Sequence, residues 1–333
     1  MQTPASAAPM RAWQREGLML APPESHGWWA THAQAPTILP MPDGLWRVYF
    51  GAREKQPLSR ILCADIDPQD GFRVVKVHPD PVLDLGRPGT FDSHGMGPAT
   101  ALMIDGRVHL YYTGIRKSVD IPYQLAIGLA VSDDGLSFRR ATPGPILSTG
   151  PLDPLFTSTP CVRRMAGQFA ICYMSGVDWR VVDGAMESFY SLRQSRSDDG
   201  LLWDPGTSHL VGEGSDPDAG YARPWIEGDT LWYSKRGASQ FRSPGEASYH
   251  LWEGRLSQDG ACLETAVPLT FLNPPRAGDW DGWMQAYSCV IPWRDDLVML
   301  YNGNDFGRGG FGRAILKGGA RAHGAGLAQE RAA

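Results

Sequence analysis

The chain has 333 residues, 42% of them hydrophobic, and 31 Lys and Arg against 36 Asp and Glu give a net charge of -5. That size supports a large buried core, while an acidic balance with scattered basic residues excludes the field needed to hold phosphate backbones and argues against a nucleic-acid partner. No window approaches the roughly 18 apolar residues of a membrane span, and MQTPASAAPMRAWQREG at the start has no apolar run of signal-peptide length, so the expectation is a cytoplasmic protein without membrane contact.

The 39 Gly, 27 Pro, 12 Trp, 11 Tyr and 11 Phe are plentiful, and helical periodicity is scarce, which predicts an all-β chain with many turns. After a strand-like RAWQREGLML near the N-terminus come five similar segments: QAPTILPMPDGLWRVYFGAR, MGPATALMIDGRVHLYYTGI, STPCVRRMAGQFAICYMSGV, ARPWIEGDTLWYSKRG and AYSCVIPWRDDLVMLYNGND. Aligned on Pro36, Pro98, Pro160, Pro224 and Ser288, they recur at intervals of 62, 62, 64 and 64 residues. Behind the first four lie Asp-Gly turns whose glycines are Gly71, Gly135, Gly200 and Gly260, a strong hairpin signal because glycine takes positive φ without steric cost.

Each unit reads as strand, tight turn, aromatic-rich strand, loop, third strand and short fourth strand. Four antiparallel strands about every sixty residues predict a five-bladed β-propeller over residues 1–316, with blades starting near His32, His94, Phe156, Gly220 and Met284. The fifth unit ends after GFGRAILKG without its outermost strand, which RAWQREGLML is expected to supply, closing the ring. An open solenoid and a two-sheet sandwich are the alternative architectures. Residues 317–333, KGGARAHGAGLAQERAA, read as a flexible C-terminal tail. Cys63, Cys161, Cys172, Cys262 and Cys289 lack C-x-x-C spacing and read as buried thiols.

In a propeller the first strand of each blade lines the channel, so the positions just before the anchors converge at one mouth. His32 and His94 stand four residues before Pro36 and Pro98, and Asp92 lies two residues from His94. Histidine titrates near neutrality and a carboxylate orients it, so Asp92, His94 and His32 are the candidate catalytic residues; capping of the channel by hydrogen bonds to loop carbonyls is the alternative for both rings. Their spacing matches no metal motif, and neither a metal nor a cofactor is expected.

One residue before the anchors stand Ala35, Gly97, Thr159, Arg223 and Tyr287. Arg223, and Arg53 after the second strand, offer a planar fork for a carboxylate or phosphate, or alternatively an ion pair bridging two blades. Tyr287, Trp179 and Glu187 complete the candidate substrate-binding set. A Trp face stacks on a sugar or packs between blades. Glu187 falls in GVDWRVVDGAMESFYS, read as a long loop placed to fold over the mouth.

The five-fold pattern with proline-led inner strands resembles the glycoside hydrolase family 43 and family 32 propellers over almost the whole chain. RPWIEGDTLWYSKRG (223–237), IPYQLAIGLAVSDDG (121–135) and WDGWMQAYSCVIPWRDDLVMLYNGNDFGRGGFGRAIL (280–316) are similar to propellers of that superfamily found in bacterial polysaccharide gene clusters. The resemblance implies a carbohydrate-active enzyme acting on a small-molecule or glycan substrate at the channel mouth. It also implies an Asp before the first proline, an Asp after the second and a later Glu. The matching positions here are Ala35, Ala99, Thr159-Pro160 and Ala222-Arg223-Pro224, none of them acidic.

Inverting hydrolysis needs two carboxylates about 6.5–9.5 Å apart. The acids near predicted blade starts that could substitute are Asp92, Asp153, Asp178, Glu187 and Asp281. Glycosidic cleavage is the first chemistry this resemblance implies. A non-hydrolytic enzyme (isomerase, lyase, cyclase or transferase) of polysaccharide or secondary-metabolite biosynthesis, and a non-catalytic glycan-binding propeller, are the alternatives.

Overall fold

The structure is a computed structural model that describes residues 12–23, 27–56, 58–165, 167–204, 208–211 and 219–320. β1 spans Ala12–Leu20. The first repeat is β2 (Thr31–Pro40), β3 (Trp46–Arg53), β4 (Ser59–Asp67) and β5 (Arg73–Val77); the second is β6 (Gly95–Ile104), β7 (Arg107–Arg116), β8 (Gln124–Ser132) and β9 (Arg139–Arg140). The third is β10 (Thr157–Met165), β11 (Gln168–Val182), β12 (Ala185–Ser197) and β13 (Ser208–Val211), and the fourth is β14 (Gly220–Glu227), β15 (Thr230–Arg236), β16 (His250–Leu256) and β17 (Leu263–Pro268). After β18 (Thr270–Phe271), the fifth contains β19 (Ala286–Trp293), β20 (Asp296–Asn302) and β21 (Phe311–Leu316).

Within each repeat the strands pair antiparallel in chain order. β1 lies antiparallel to β21 and parallel to β18, so it stands fourth in the last repeat. The first strands contact one another in the order β2, β6, β10, β14, β19 and back to β2.

Apolar side chains fill the spaces between neighbouring repeats. Leu39, Tyr49, Met96 and Leu110 join the first two, Tyr111, Ile127, Val162 and Tyr173 the second and third. Trp13 of β1 enters a cluster that spans the fourth, fifth and first repeats, its ring edge-on to Trp232 at 6.2 Å. Middle strands covered on both faces read as nearly unbroken apolar runs, as WRVYFGA in β3 does, its one charge, Arg47, being paired with Asp65. Burying a side chain of this size contributes roughly 1.5–3 kcal/mol, which explains why a strand so far away in sequence is held.

The first strand of every repeat bulges at its anchor. The pairing register breaks between Gln34 and Thr37, Pro98 and Thr100, Ser158 and Cys161, Ala222 and Trp225, and Ala286 and Cys289. At the bulge Ala35, Thr159, Arg223 and Tyr287 adopt positive φ. Each of their N–H groups, turned out of its own ladder, donates to a side chain of the preceding repeat: Ala35 to Asn302 Oδ1 (2.6 Å), Thr159 to Thr113 Oγ1 (2.9 Å), Arg223 to Thr159 Oγ1 (3.2 Å) and Tyr287 to Ser234 Oγ (2.8 Å). The strain of a left-handed non-glycine residue is thus offset by a bond that ties one repeat to the next.

The outer Asp-Gly turns lock in the same direction. Asp134 Oδ1 accepts the Leu136 and Ser137 N–H groups, as Asp199 accepts those of Leu201 and Leu202. The turn carbonyls receive neighbours: Tyr49 OH donates to Gly135 O (2.8 Å), Tyr111 OH to Gly200 O (3.1 Å) and Gln194 Nε2 to Gly260 O (2.8 Å).

Three expectations need correction. GVDWRVVDGAMESFYS is not a loop: β11 and β12 pair along it, turning at Asp183-Gly184. Cys262 is exposed, whereas the other four thiols are buried. Of the expected tail, Lys317 is anchored by an ion pair to Asp296 (2.8 Å) and the Ala320 N–H donates to Asp295 O (3.0 Å), while 321–333 lie outside the described residues.

The seam between β1 and β21 gives a direct test. Gly310 has φ +117, and a Cβ there would sit 1.9 Å from Leu20 O, whereas Gly309 has open space. Gly310→Ala should cost at least about 2 kcal/mol in urea unfolding and loosen β1 in hydrogen exchange, with Gly309→Ala close to neutral.

Candidate functional site

The starts of the first strands bring several of the expected residues together. His32 is buried with φ 63, its Nδ1 lies 2.9 Å from Thr31 Oγ1, and its N–H donates to Arg308 O (3.4 Å). Arg53, half-buried at the end of β3, donates from Nη2 to Gln34 Oε1 (3.3 Å). Asn302 fixes the turn that carries Arg308, with Nδ2 donating to Ala33 O (2.8 Å) and Gly310 O (2.9 Å).

Charge on these groups is set by burial and by each other. Burial, then the charges of Arg53 and Arg308, push His32 down to about 3. Burial lowers Arg53, and Arg308 lowers it further against an opposing effect of Tyr287. Burial raises Tyr287, which stays a neutral phenol beside both Arg53 and Arg236. His32 is therefore a neutral donor and acceptor, unsuited to act as an imidazolium acid.

The His32 shift makes a pH prediction. In the folded state the ring stays neutral down to about pH 3, whereas in the unfolded chain it takes up a proton below the ordinary 6.5. The unfolded state then binds more protons, so this contribution to stability is complete above pH 6.5 and is lost as pH falls toward 3. At pH 4.5 the loss amounts to about 3 kcal/mol. Urea midpoints of the wild type should fall more steeply between pH 7 and about 4.5 than those of His32→Gln.

His94 is half-buried, with Nδ1 3.0 Å from Ser93 Oγ. Asp92 turns away into the interior. Its carboxylate is fully buried and accepts from Tyr112 OH (2.9 Å), Thr90 Oγ1 (2.9 Å) and Arg140 Nε (2.7 Å), none of them His94. Arg223 is also buried. It crosses to the first two repeats, donating from Nη1 to Pro98 O (2.7 Å) and from Nη2 to Pro36 O (3.2 Å), Ala35 O (3.4 Å) and Thr37 Oγ1 (2.8 Å). Burial lowers its pKa to about 10, so it remains a cation at neutral pH. It bridges repeats through carbonyls rather than through an ion pair or a solvent-facing fork.

Glu187 is buried and bound by both terminal nitrogens of Arg242, Nη2 at 2.9 Å from Oε2. Every acid considered above as a substitute is held by an arginine: Asp92 by Arg140, Asp153 by Arg193, Asp178 by Arg180, Glu187 by Arg242 and Asp281 by Arg15. None of the five is a free carboxylate of the kind hydrolysis by a carboxylate pair requires.

Residues that the sequence did not single out complete the site. Tyr287 packs on Tyr249 with ring centroids 5.7 Å apart, and the Tyr249 hydroxyl meets that of Tyr190, which accepts from Arg236 Nε (2.9 Å). Trp179 lies edge-on to Tyr123 at 5.1 Å, and Tyr123 OH lies 2.8 Å from Ser188 Oγ. The readable signal was an arginine at the end of a second strand, as in YFGAR and LWYSKR, and the aromatic pair of ESFYS early in β12.

No protein-family profile matches the chain. It is 29% identical over 311 residues, covering 92% of this chain and 99% of the relative, to "Uncharacterized protein Rv1502" of Mycobacterium tuberculosis. Among solved structures it is similar to β-1,2-mannobiose phosphorylase from Listeria innocua (TM-score 0.66, 14% identity, 94% of this chain and 98% of that one). It is similar as well to a glycosyl hydrolase from Bacteroides ovatus (TM-score 0.66, 14% identity, 95% and 96%) and to the GH32 β-fructofuranosidase of Bombyx mori (TM-score 0.60, 15% identity, 92% and 62%). At such identities the likeness shows the fold alone, an all-β propeller of the glycosidase type.

Proposed function

We propose that the five repeats are the blades of a five-bladed propeller closed by β1, and that the bulged starts of its inner strands form the mouth of a site for a sugar or sugar derivative. The cyclic order of contacts among β2, β6, β10, β14 and β19 supports the ring. The observation that carries the site is the grouping where the inner strands begin: Arg53 pairs across from Thr31, next to His32, and Tyr287 packs on Tyr249, with Arg236 over the Tyr190 ring at 5.0 Å. In this reading Arg53, Tyr287 and Trp179 hold the ligand, Glu187 positions Arg242, and His32 and His94 relay hydrogen bonds around it. Asp92 and Arg223 belong to the frame.

Because all five neighbouring acids are paired with arginine, non-hydrolytic chemistry on a sugar derivative (isomerase, lyase, cyclase or transferase) is favoured over hydrolysis. Its setting would be polysaccharide assembly in the cytoplasm.

Incubation with a panel of glycosides and sugar derivatives in oxygen-18 water, read by mass spectrometry, separates the possibilities. Turnover without label uptake is expected. Label in the product reinstates hydrolysis, and glycan binding with no turnover makes the chain a binding module. Trp179→Ala should weaken the bound sugar about 3–10-fold, the size of one lost aromatic contact.

A further inference from the structure

We infer that the ligand of this site carries an oxyanion, a sugar carboxylate or a sugar phosphate or sulfate ester, gripped by Arg53 and Arg308 beside His32. The inference rests on the sugar-site reading and adds the charge of the substrate and one residue, Arg308.

Positive charge here has no internal match. Among the described residues neither Arg53 nor Arg308 is in an ion pair, and the hydrogen bond of the Arg53 guanidinium goes to the neutral amide of Gln34 at 3.3 Å. Arg47, Arg140 and Arg15 are by contrast paired with Asp65 (2.8 Å), Asp92 (2.7 Å) and Asp281, and the fully buried Arg223 is held by three carbonyls and a hydroxyl, whereas Arg53 has only the one long bond. A half-buried guanidinium with neither a counter-ion nor a full set of acceptors is costly, and a bound anion would satisfy it. Arg236, whose charge acts on Tyr287 as that of Arg53 does, is fully buried and bonds to Tyr190 OH, Gly237 O and Ser188 O, with no carboxylate among them.

The two arginines are placed by the backbone. The Arg308 carbonyl accepts from His32, the Arg53 carbonyl accepts from the Ala30 N–H (2.9 Å), and Thr31 pairs with Arg53 across β2 and β3. Asn302 clamps the turn from 303 to 310 onto the start of β2 through Ala33 O and the Ala35 N–H. The fields overlap, for Arg308 depresses both Arg53 and His32. A neutral His32 donates to an anion without adding charge repulsion. Arg53 forms the buried half of the grip, and the exposed Arg308 side chain closes on the ligand from the solvent side. The Tyr287 phenol, packed on Tyr249 and within the field of Arg53, supplies an amphipathic surface for the sugar ring.

Isothermal titration calorimetry on the full chain tests this with glucuronate, galacturonate, glucose 1-phosphate, glucose 6-sulfate, neutral glucose, inorganic phosphate and inorganic sulfate. An acidic sugar should bind, weaken with added salt, and lose about 10-fold or more in affinity in Arg53→Met and in Arg308→Ser. Arg308 is exposed, so its variant carries no folding cost, and Arg294→Met, on the distant β19–β20 turn, should bind like the wild type. The carboxylate and ester arms distinguish the source of the oxyanion. Neutral glucose binding as tightly as the acidic sugars, affinities unchanged in both variants, or no binding of any probe up to about 10 mM would overturn the inference. If inorganic phosphate or sulfate binds in an Arg53-dependent way while no sugar adds affinity, the grip stands and the sugar reading falls.

Discussion

Asp92→Asn should lower the stability of the folded chain by about 3–5 kcal/mol, and Asp153→Asn and Asp281→Asn should do the same in two other repeats. The three carboxylates occupy one structural position. Each accepts from a tyrosine twenty residues further on: Tyr112 to Asp92 (2.9 Å), Tyr173 to Asp153 (2.9 Å) and Tyr301 to Asp281 (2.7 Å). Each also faces an arginine from the outer part of its repeat, Arg140, Arg193 and Arg15 respectively, the last supplied by β1. Removing the negative charge leaves a guanidinium and a phenol aimed at a neutral amide, and little solvent reaches them to compensate. Asp153 belongs at the low end of the range, because its Oδ1 has no hydrogen-bond partner and Arg193 stands 3.7 Å away.

Urea unfolding of the three variants, set beside turnover, decides what Asp92 does. A bracing role predicts a shared loss of midpoint at all three positions. A catalytic role predicts lost turnover at Asp92 alone, with an unchanged midpoint. The same comparison bears on β1, since Asp281→Asn breaks the only one of the three braces that reaches across to the N-terminal strand through Arg15.

The parts of this architecture that show in the sequence are those set by local chemistry. Asp-Gly turns recur because a Ser or Asp side chain captures the N–H groups of the next few residues, as Ser132 captures Gly135 and Asp134 captures Leu136, and no distant partner is needed. The anchor prolines recur because the inner strand must break register there. Asp183-Gly184 sends the same turn signal as the others; reading it as part of a loop missed that β11 and β12 continue past their neighbours to carry Trp179 and Glu187. The Asp-to-Tyr interval of twenty residues at 92/112, 153/173 and 281/301 was also on the page, and it marks Asp92 as one copy of a repeated brace. What could not be read is where side chains go once the repeats pack together. Arg308 meets His32 across 276 residues, and Arg223 reaches Pro98 across 125 and Thr37 across 186.

That reach makes Arg223→Ala the most damaging single change expected among the first strands of the repeats, a loss of about 3–5 kcal/mol in urea unfolding. The guanidinium joins the fourth repeat to the first and second through three backbone carbonyls and the Thr37 hydroxyl, and alanine would leave those acceptors without their donors around a new cavity. Part of the loss is returned, because the buried cation itself carries a desolvation penalty, seen in a pKa lowered to about 10 by burial. Arg223→Met keeps much of the volume and sheds that charge, so it should cost less, about 2–3 kcal/mol. Arg223→Lys keeps the charge but presents one ammonium where a planar fork served two repeats, and should fall between them. A substrate-gripping Arg223 would show the reverse order of effects, with ligand affinity lost and the unfolding midpoint kept. Burial of the whole side chain among strand carbonyls predicts that the midpoint falls first and that affinity follows only as far as the bulges of β2 and β6 lose their shape.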